Sequence, residues 1–507
     1  MNNKKYILSL DSGTTSVRSL IIDKSGKVAS SSQLEFTQYF PKSGWVEHDP
    51  MEIWNAQKTT IVNAKNSLGI KSTDIAACGI TNQRETIVVW NKNTGLPIYN
   101  AIVWQDRRTS DYCQTLIEAN KDTIFREKTG LIINPYFSGT KLKWILDNVT
   151  NAREKSKNGE ILAGTIDTWL IWNLTNGKVH ATDVTNASRT LLFNIHTQEW
   201  DDELLEILDI PKSILPEVKS SSDFYGEIEP KHFSHAALGI VPITGVAGDQ
   251  QAALFGQLCV NQGEVKNTYG TGCFTLMNIG SKPVLSKNNL LTTIAWKIKN
   301  QETVYALEGS VFIGGAVLQW LRDGLKLIYD APISNYYASL VKEESTPIYL
   351  VPSFTGLGAP YWDSYSRGAI FGLERGTNRE QIVKAALDSI AYQSNDLINA
   401  MAKDIEKSIP LLKVDGGASK SDYLMQFQAS ISKIKVSRPK NQETTAMGAA
   451  YFAGLEVGFW NSIDELKKIA EIDKEFYPNF SDDKVAKLTK GWNQAVKRTL
   501  NWVKDIE

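Results

Sequence analysis

The chain has 507 residues, of which 42% are hydrophobic and 22% charged, and its formal net charge is −1. This length predicts two or three domains, each with its own core, and the near-zero charge argues against nucleic acid or an anionic membrane as a partner. No apolar run approaches the ~20 residues that cross a bilayer. The apolar stretch near the N-terminus ends at Asp11 and is too short for a signal peptide, so we expect a cytoplasmic protein without stable membrane insertion.

The first half of the chain begins with strand-like segments joined by polar turns. Residues 6–10 and 17–22 predict strands around the turn DSGTTS, and a second turn at residues 24–27 leads to a third strand at residues 28–36. A helical pattern follows at residues 50–68, with Asp49 as its N-cap and Pro50 at its first position. Another strand is predicted at residues 76–81, and the alternation of strands and helices is typical of α/β proteins.

Around residue 264 the opening pattern recurs. Residues 265–269 and 273–279 predict strands on either side of the turn GTG, and a third glycine-bearing turn, DGGA, follows a strand-like segment at residues 411–414. Two strand–turn–strand units predict a duplicated architecture. We expect two domains, residues 1–255 and 256–507, to face each other across a cleft, with a helical, solvated tail from residue 462 onward.

The four cysteines and five histidines give no indication of a disulfide or metal framework. The cysteines form no CxxC pair, and the histidines form no HExxH motif. This spacing favours free thiols in a reducing compartment and argues against a His/Cys metal site.

The two glycine- and threonine-bearing turns predict a phosphate site, although the chain has no P-loop and no GxGxxG fingerprint. In the first turn, backbone amides and the hydroxyls of Thr14 and Thr15 can donate to phosphate oxygens. Arg18 adds positive charge, and Asp11 predicts a nearby Mg²⁺ ion or its waters. Thr271 belongs to the second turn of this design. A glycine hairpin with polar decoration is the alternative interpretation of each turn.

Asp249 stands directly before a strong helical pattern in the segment GDQQAALFG. It could cap that helix, since aspartate is favoured at such positions. It could also be a general base that accepts the proton of a substrate hydroxyl and directs the oxygen at a phosphoryl group. The sequence leaves both interpretations open.

From about residue 5 to about residue 460, twelve segments resemble the FGGY carbohydrate kinases, and within them the members that phosphorylate glycerol. The segments are DSGTTSVR (11–18), GWVEHDPMEIW (44–54), GITNQRET (79–86), AIVWQDRR (101–108), YFSGTKLKWILDN (136–148), DTWLIW (167–172), TNASRTLLFNIH (185–196), GDQQAALFGQ (248–257), NTYGTGCF (267–274), FTGLGAPYWD (354–363), RGAIFGL (367–373) and VDGGAS (414–419). The resemblance implies two actin-like (ribonuclease H-like) α/β domains flanking a nucleotide cleft. It implies transfer of the ATP γ-phosphate, with Mg²⁺, to glycerol to give sn-glycerol 3-phosphate, by a homodimer or homotetramer.

The resemblance also implies a polyol site. The residues that match the family motifs are the base Asp249 and the polyol contacts Arg84, Glu85, Trp104, Tyr136, Gln250 and Phe274. A polyol site needs donors and acceptors at hydroxyl spacing, which Arg84, Glu85 and Asp249 can supply. Without the motifs, Arg84 and Glu85 would be interpreted as a surface pair, and the two aromatic walls, Trp104 and Phe274, as core residues.

Nucleotide-binding positions follow from the resemblance on four segments. They are Thr14, Thr15, Ser16 and Arg18 in the first turn, Thr271 in the second, Gly315 and Gln319 in GGAVLQW, and Gly417 in DGGAS, with Asp11 for the metal. Ser421 stands where the family usually has an asparagine, and we leave it out of this set.

The segment Lys231-His232-Phe233 resembles the histidine loop of Gram-positive members, which the phosphocarrier protein HPr phosphorylates. The resemblance implies His232 as a regulatory residue and HPr as a partner. The pattern departs from the family at Ser234-His235, and an exposed, merely solvated loop histidine is the alternative.

Two competing functions remain open at this point. One is an FGGY kinase for another polyol or sugar, such as xylulose or gluconate. The other is an actin-like nucleotide switch, which shares the phosphate turns but needs no small-molecule pocket. The NQRE string and its aromatic walls argue against the first. The polyol-like residue set and the matching segments outside the phosphate turns argue against the second, which glycerol-independent ATP turnover would favour.

Overall fold

The computed structural model describes residues 4–233, 239–342 and 347–504, so Ser234 and His235 lie outside the described residues. The first-half strands are β1 (Tyr6–Ser12), β2 (Ser16–Asp23), β3 (Val28–Glu35), β4 (Glu47–His48), β5 (Ile75–Asn82), β6 (Ile87–Asn91), β7 (Ala101–Ile102), β8 (Ile161–Thr165), β9 (Ala181–Asp183), β10 (Phe193–Asn194), β11 (Glu199–Trp200), β12 (Glu217–Lys219), β13 (Glu227–Ile228) and β14 (Val241–Gly248). The first-half helices are α1 (Pro50–Ser67), α2 (Ser110–Glu118), α3 (Asp122–Thr129), α4 (Ser138–Asn148), α5 (Ala152–Lys157), α6 (Ile166–Leu174), α7 (Val184–Ala187), α8 (Asp202–Leu208) and α9 (Asp249–Gly256).

The second half repeats this mixture of strands and helices. Its strands are β15 (Val265–Tyr269), β16 (Cys273–Gly280), β17 (Leu291–Trp296), β18 (Val304–Val311), β19 (Tyr349–Val351), β20 (Ala369–Phe371), β21 (Leu411–Asp415), β22 (Lys435–Pro439) and β23 (Ile472–Phe476). Its helices are α10 (Ala316–Gln319), α11 (Ile333–Leu340), α12 (Arg379–Ile405), α13 (Asp422–Ser432), α14 (Thr444–Glu456), α15 (Ile463–Ile469) and α16 (Asp482–Thr499).

Each half is built on one large mixed sheet, and the two sheets share a topology. The first has the order β13-β14-β5-β1-β2-β3, and the second β17-β18-β16-β15-β21-β22-β23. In both, three antiparallel strands (β3-β2-β1 and β18-β16-β15) continue into two parallel ones (β5-β14 and β21-β22). The duplicated architecture predicted from the two strand–turn–strand units is therefore present.

Local sequence accounts for the elements that the site needs. The carboxylate of Asp49 accepts a hydrogen bond from the Met51 amide, and Pro50 occupies the first turn of α1, as predicted. Strand β1 is buried on both faces between α1 and the second half, which explains its continuous apolar run. Within the described ranges, no helix is both long and apolar enough to cross a membrane.

The tail differs from the prediction of a helical, solvated segment. Residues 472–476 form β23, which pairs antiparallel with β22 at the sheet edge. Phe476 is buried, and Trp492 of α16 is buried and stacked on Tyr392 of α12. The charged sequence of β23 does not by itself predict a strand. One face of this edge strand is solvated, and the strand it pairs with, β22, is distant in sequence.

The two halves are joined where α14 crosses α9. A Cβ atom at Gly448 would lie 1.8 Å from the carbonyl oxygen of Ala252, and one at Gly256 would lie 1.9 Å from that of Thr444. Only glycine permits this approach of the two helix backbones. Because α9 begins at Asp249, this crossing also sets the position of that carboxylate.

We expect Gly448→Ala to lower the free energy of unfolding by ~1–3 kcal/mol, because the added methyl group must push α14 away from α9. Thermal unfolding of the unmodified protein and of the Gly448→Ala variant measures the effect. Gly376→Ala is the matched control, because nothing lies within 4 Å of a Cβ atom there and its φ is not positive. Equal melting temperatures for the two variants would show that the crossing tolerates side chains.

Candidate active site

Three parallel strands end at one edge of the first sheet, and predicted site residues lie at their ends. Asp11 is in β1, Arg84 and Glu85 follow β5, and Asp249 follows β14. The register aligns Asp11 with Thr81 of β5 and, through it, with β14. Carboxyl ends of parallel strands are the usual location of ligand sites in α/β sheets.

Four buried charged side chains form a closed network behind this edge. Arg84 makes a two-pronged contact with Glu308, with Nη1 2.7 Å from Oε2 and Nη2 2.9 Å from Oε1. Arg189 donates to Glu85 at 2.7 Å and to Glu308 at 3.0 Å. Each charge thus has an opposite partner, which offsets the cost of burying it. Glu308 lies on β18, so the network connects the second half of the chain to the first.

Glu85 has a strained backbone at this position. Its φ is +61°, in the left-handed region that favours glycine. The hydroxyl of Ser138 donates to its carbonyl oxygen at 3.1 Å, and Arg189 holds its carboxylate. Both Arg84 and Glu85 are buried, so they do not form the surface pair that the sequence alone would suggest.

Asp249 is the half-buried carboxylate of the site. Its Oδ1 atom lies 3.2 Å from Nε of Arg84 and accepts a 2.7 Å hydrogen bond from the Gln250 amide. It is the first residue of α9 rather than its N-cap, which is Gly248. Burial raises the pKa of Asp249 to about 6, although the positive charge of Arg84 opposes this shift. Such a value suits a group that must accept a proton near neutral pH.

This pKa predicts a pH dependence. If Asp249 works as a base, its active form is the ionised one, and we expect kcat/KM to fall as the pH drops through about 6. The decline should approach about tenfold per pH unit below that value, because one protonation removes the base. A pH–rate profile between pH 5 and 8 measures it, and a flat profile down to pH 5 would contradict it.

Three aromatic side chains lie next to the charged network and form one group. The ring of Trp104 lies 5.7 Å from that of Tyr136 and 6.5 Å from that of Phe274, edge to face in both cases. All three side chains are only partly buried, unlike core aromatics. Trp104 Nε1 donates to the Thr14 hydroxyl at 3.0 Å, and the hydroxyl of Tyr136 lies 3.4 Å from Arg84 Nη2. The group therefore joins the first glycine turn to the charged network.

The predicted nucleotide-binding segments of the second half lie side by side. The Gly315 amide donates to the carbonyl of Gly270 at 2.8 Å, and a Cβ atom on Gly315 would lie 3.9 Å from Cβ of Ala418. Thr271, Gln319 and Gly417 are all exposed next to these contacts. The segments therefore present an open surface that a nucleotide can approach.

Ser421, which was left out of the predicted set, has a structural role. Its hydroxyl accepts a 3.0 Å hydrogen bond from the Leu424 amide and caps α13. The same hydroxyl hydrogen-bonds the side chain of Asn335 on α11.

The positive charge of Arg18 beside the first turn is balanced by two carboxylates. Arg18 forms ion pairs with both Asp11 and Glu443, the residue before α14. The charge of Asp11 is the main cause of the raised pKa of Arg18. Ser16 is in β2, where its hydroxyl accepts from Gln33 at 3.0 Å.

A magnesium ion fits the chemistry of this edge. Within the described residues, no group of three or more His, Cys, Asp or Glu side chains is arranged to hold a metal ion. Mg²⁺ usually binds through one or two carboxylates together with substrate phosphates and waters. The single carboxylate of Asp11 next to a phosphate-type turn matches that donor set.

Three site residues were absent from the sequence prediction. Arg189 and Glu308 belong to the charged network, and the Lys266 ammonium donates to the side chains of Gln250 at 2.5 Å and Thr268 at 2.7 Å. Burial lowers the pKa of Lys266. A signal was available for Lys266 and Glu308, because a lone charge inside an otherwise uncharged strand segment must find a buried partner.

His232 is buried rather than exposed, so the alternative of a solvated loop histidine is wrong. It lies in a single 3₁₀ turn, Pro230–His232, with its ring edge-on to that of Trp54 at 5.0 Å. Burial lowers its pKa to about 4.

Known proteins are similar to this chain in sequence and architecture. Residues 6–256 match the N-terminal domain of the FGGY family of carbohydrate kinases, and residues 265–457 match its C-terminal domain. The chain belongs to this family. The prediction of an α/β fold with two actin-like domains is confirmed.

Among the proteins similar to this chain are glycerol kinases of several organisms. A glycerol kinase of Mycoplasmopsis pulmonis is 67% identical over 506 residues, with both chains covered completely. A glycerol kinase of Haemophilus influenzae is 55% identical over 507 residues, also with full coverage of both. The crystal structure of Plasmodium falciparum glycerol kinase with ADP superposes with a TM-score of 0.93 at 39% identity, covering 98% of each chain.

Proposed function

We propose that this chain is an ATP-dependent glycerol kinase that produces sn-glycerol 3-phosphate. The observation that carries the proposal is the position of Asp249, a half-buried carboxylate 3.2 Å from Arg84 at the edge of the sheet where β1 ends and the first phosphate turn begins. The glycerol kinases at 55–67% identity over the full length support the same substrate pair.

In this proposal the charged network and the aromatic group hold the polyol. Arg84, Glu85 and Tyr136 donate to and accept from its hydroxyls, while Trp104 and Phe274 cover its carbon chain. A site that pairs hydroxyls strongly rejects analogues that lack them, because its buried polar groups would remain unpaired. The aromatic faces limit the length of the substrate.

Asp249 orients the terminal hydroxyl and accepts its proton as the oxygen attacks the γ-phosphorus in line. The attacking oxygen forms a bond to phosphorus, the bond to the β,γ-bridging oxygen breaks, and ADP leaves. Gln250, held by Lys266, lies beside this carboxylate.

The nucleotide lies between the two halves in this proposal. The first turn, with Thr14, Thr15, Ser16 and Arg18, and the second turn, with Thr271, donate to the phosphates. The segments carrying Gly315, Gln319 and Gly417 receive the remainder of the nucleotide. Asp11, together with phosphate oxygens, would hold a Mg²⁺ ion, which would supply positive charge to offset the negative charge on the phosphates. Closure of the halves excludes water and limits ATP hydrolysis.

Glycerol-dependent ADP formation tests the proposal. We expect turnover with glycerol and Mg·ATP, much lower turnover with xylulose or gluconate, and little without a polyol. Preference for another polyol would assign a sister activity of the family. ATP turnover that is independent of any polyol would favour the actin-like switch.

We also propose a domain boundary near residue 255, a homodimer or homotetramer, and a cytoplasmic location. The four cysteines are free and buried, which suits a reducing compartment. For HPr to phosphorylate His232, the turn that buries it against Trp54 would have to open. Incubation with phosphorylated HPr, followed by a search for phosphohistidine, tests that step.

A further inference from the structure

The segment Asp183 to Arg189, which we call the 183–189 segment, lies next to the active site. It comprises the last residue of β9, the short helix α7 and the two residues after it, and all of its residues are buried. Arg189, at its end, belongs to the charged network. Residues 183–188 have no direct part in the proposed reaction.

A two-step hydrogen-bond chain connects the segment to Asp249. The Gly248 amide donates to the hydroxyl oxygen of Thr185 at 2.9 Å, and that hydroxyl lies 2.8 Å from a carboxylate oxygen of Asp183. An amide N–H can only donate and a carboxylate oxygen can only accept. The single hydroxyl proton of Thr185 is therefore directed at Asp183, and its oxygen at Gly248.

Asp183 is held in place by residues of its own segment and by Ser221, which lies in the connection between β12 and β13. Its carboxylate accepts from the amides of Thr185 at 3.0 Å and Asn186 at 2.9 Å, and from the Ser221 hydroxyl at 2.8 Å. Burial raises the pKa of Asp183, and these hydrogen bonds oppose the shift. A buried acceptor surrounded by oriented donors is rigid, so it can fix the Thr185 hydroxyl.

The same segment also holds the strand that leads to Arg84. The side-chain amides of Asn186 and Asn82 exchange two hydrogen bonds, at 3.0 and 3.1 Å. Asn82 is the last residue of β5, and it is aligned with Gly248 of β14. The 183–189 segment thus contacts both strand ends from which the site residues emerge.

We propose that Thr185 and Asp183 are positioning residues for the phosphoryl transfer, because they fix the Gly248 amide and through it the direction of the Asp249 carboxylate. The inference rests on the proposed kinase function. Neither residue touches the polyol in this account, so both act through Gly248.

Thr185→Val tests the inference, since valine keeps the shape and removes the hydroxyl. We expect kcat to fall by about 10- to 100-fold, as for a small misplacement of a reacting group, with the KM for ATP unchanged. Thr185→Ser, which restores the hydroxyl, should recover most of the activity. Amide hydrogen exchange at Gly248 should be faster in the valine variant than in the serine variant.

Thr182→Val is the matched control. Thr182 is also buried, and its hydroxyl donates to Asp167 at 2.6 Å, whereas the Thr185 hydroxyl accepts from Gly248 in the strand that leads to Asp249. We expect it to retain the kcat of the unmodified protein. An equal loss of kcat in both valine variants, or an unchanged kcat in Thr185→Val, would overturn the inference.

Asp183→Asn provides a second test if the valine variant does not fold. Asparagine removes the acceptor charge, so kcat should fall, whereas Asp167→Asn, which removes another fully buried carboxylate, should leave kcat unchanged. Equal kcat values for the two asparagine variants would refute the role of Asp183. Failure of the kinase proposal is distinguishable, because the unmodified protein would then show no glycerol-dependent ADP formation at all.

Discussion

Replacing Asp249 by asparagine is expected to lower kcat by at least ~10²-fold, because the amide cannot accept the proton of the attacking hydroxyl. The shape of the side chain is kept, and Arg84 keeps its two contacts with Glu308. The KM for ATP should change little, since the phosphate turns are untouched. Steady-state kinetics with glycerol and Mg·ATP varied separately measures both values.

Asp167→Asn serves as the control for this substitution. It removes a fully buried carboxylate of the same half, whose partners are the hydroxyls of Thr165 and Thr182. A comparable loss of kcat in the control would indicate general damage to the fold. Near-normal turnover of Asp249→Asn would remove Asp249 from the mechanism.

Replacing Arg84 by alanine is expected to produce the second large effect. Glu308 and Asp249 would lose a cationic partner, and truncating one member of a buried charge pair costs ~2–5 kcal/mol. We therefore expect kcat/KM for glycerol to fall by roughly 10²-fold or more, together with a lower melting temperature. The loss should appear in the glycerol dependence rather than in the KM for ATP.

Arg108→Ala separates substrate binding from stability. The Arg108 side chain is fully buried and is paired with Glu47 at 2.7 Å and Asp106 at 2.8 Å. This variant should also melt at a lower temperature but keep its KM for glycerol. An unchanged glycerol KM in Arg84→Ala would show that the guanidinium does not hold the polyol.

The local sequence predicted the opening part of the first-half framework correctly. Alternating and continuous apolar runs indicated β1, β2, β3 and β5, and the Asp49-Pro50 pair indicated the start of α1. These signals work because side-chain period and capping depend on residues only a few positions apart. The repeat of the strand–turn–strand unit near residue 264 predicted the shared topology of the two sheets for the same reason.

Features that depend on contacts between residues far apart in the chain could not be predicted from the local sequence. The tail strand β23 follows from pairing with β22, which no local pattern encodes. The burial of His232 depends on its contact with Trp54, which lies far from it in the chain. The partner of Arg84 is Glu308, which is separated from it by 224 residues.

The sequence by itself determined the family, the duplicated α/β framework and the residue types available for phosphate and polyol binding, because motifs and periodicity are local properties of the chain. Only the tertiary structure decided how the charges are shared, since Glu308 and Arg189 reach the site from strands and loops that folding brings together. It also decided the environment of Asp249, whose pKa depends on burial and on the nearby charge of Arg84. Such properties belong to the arrangement in space and not to any one segment.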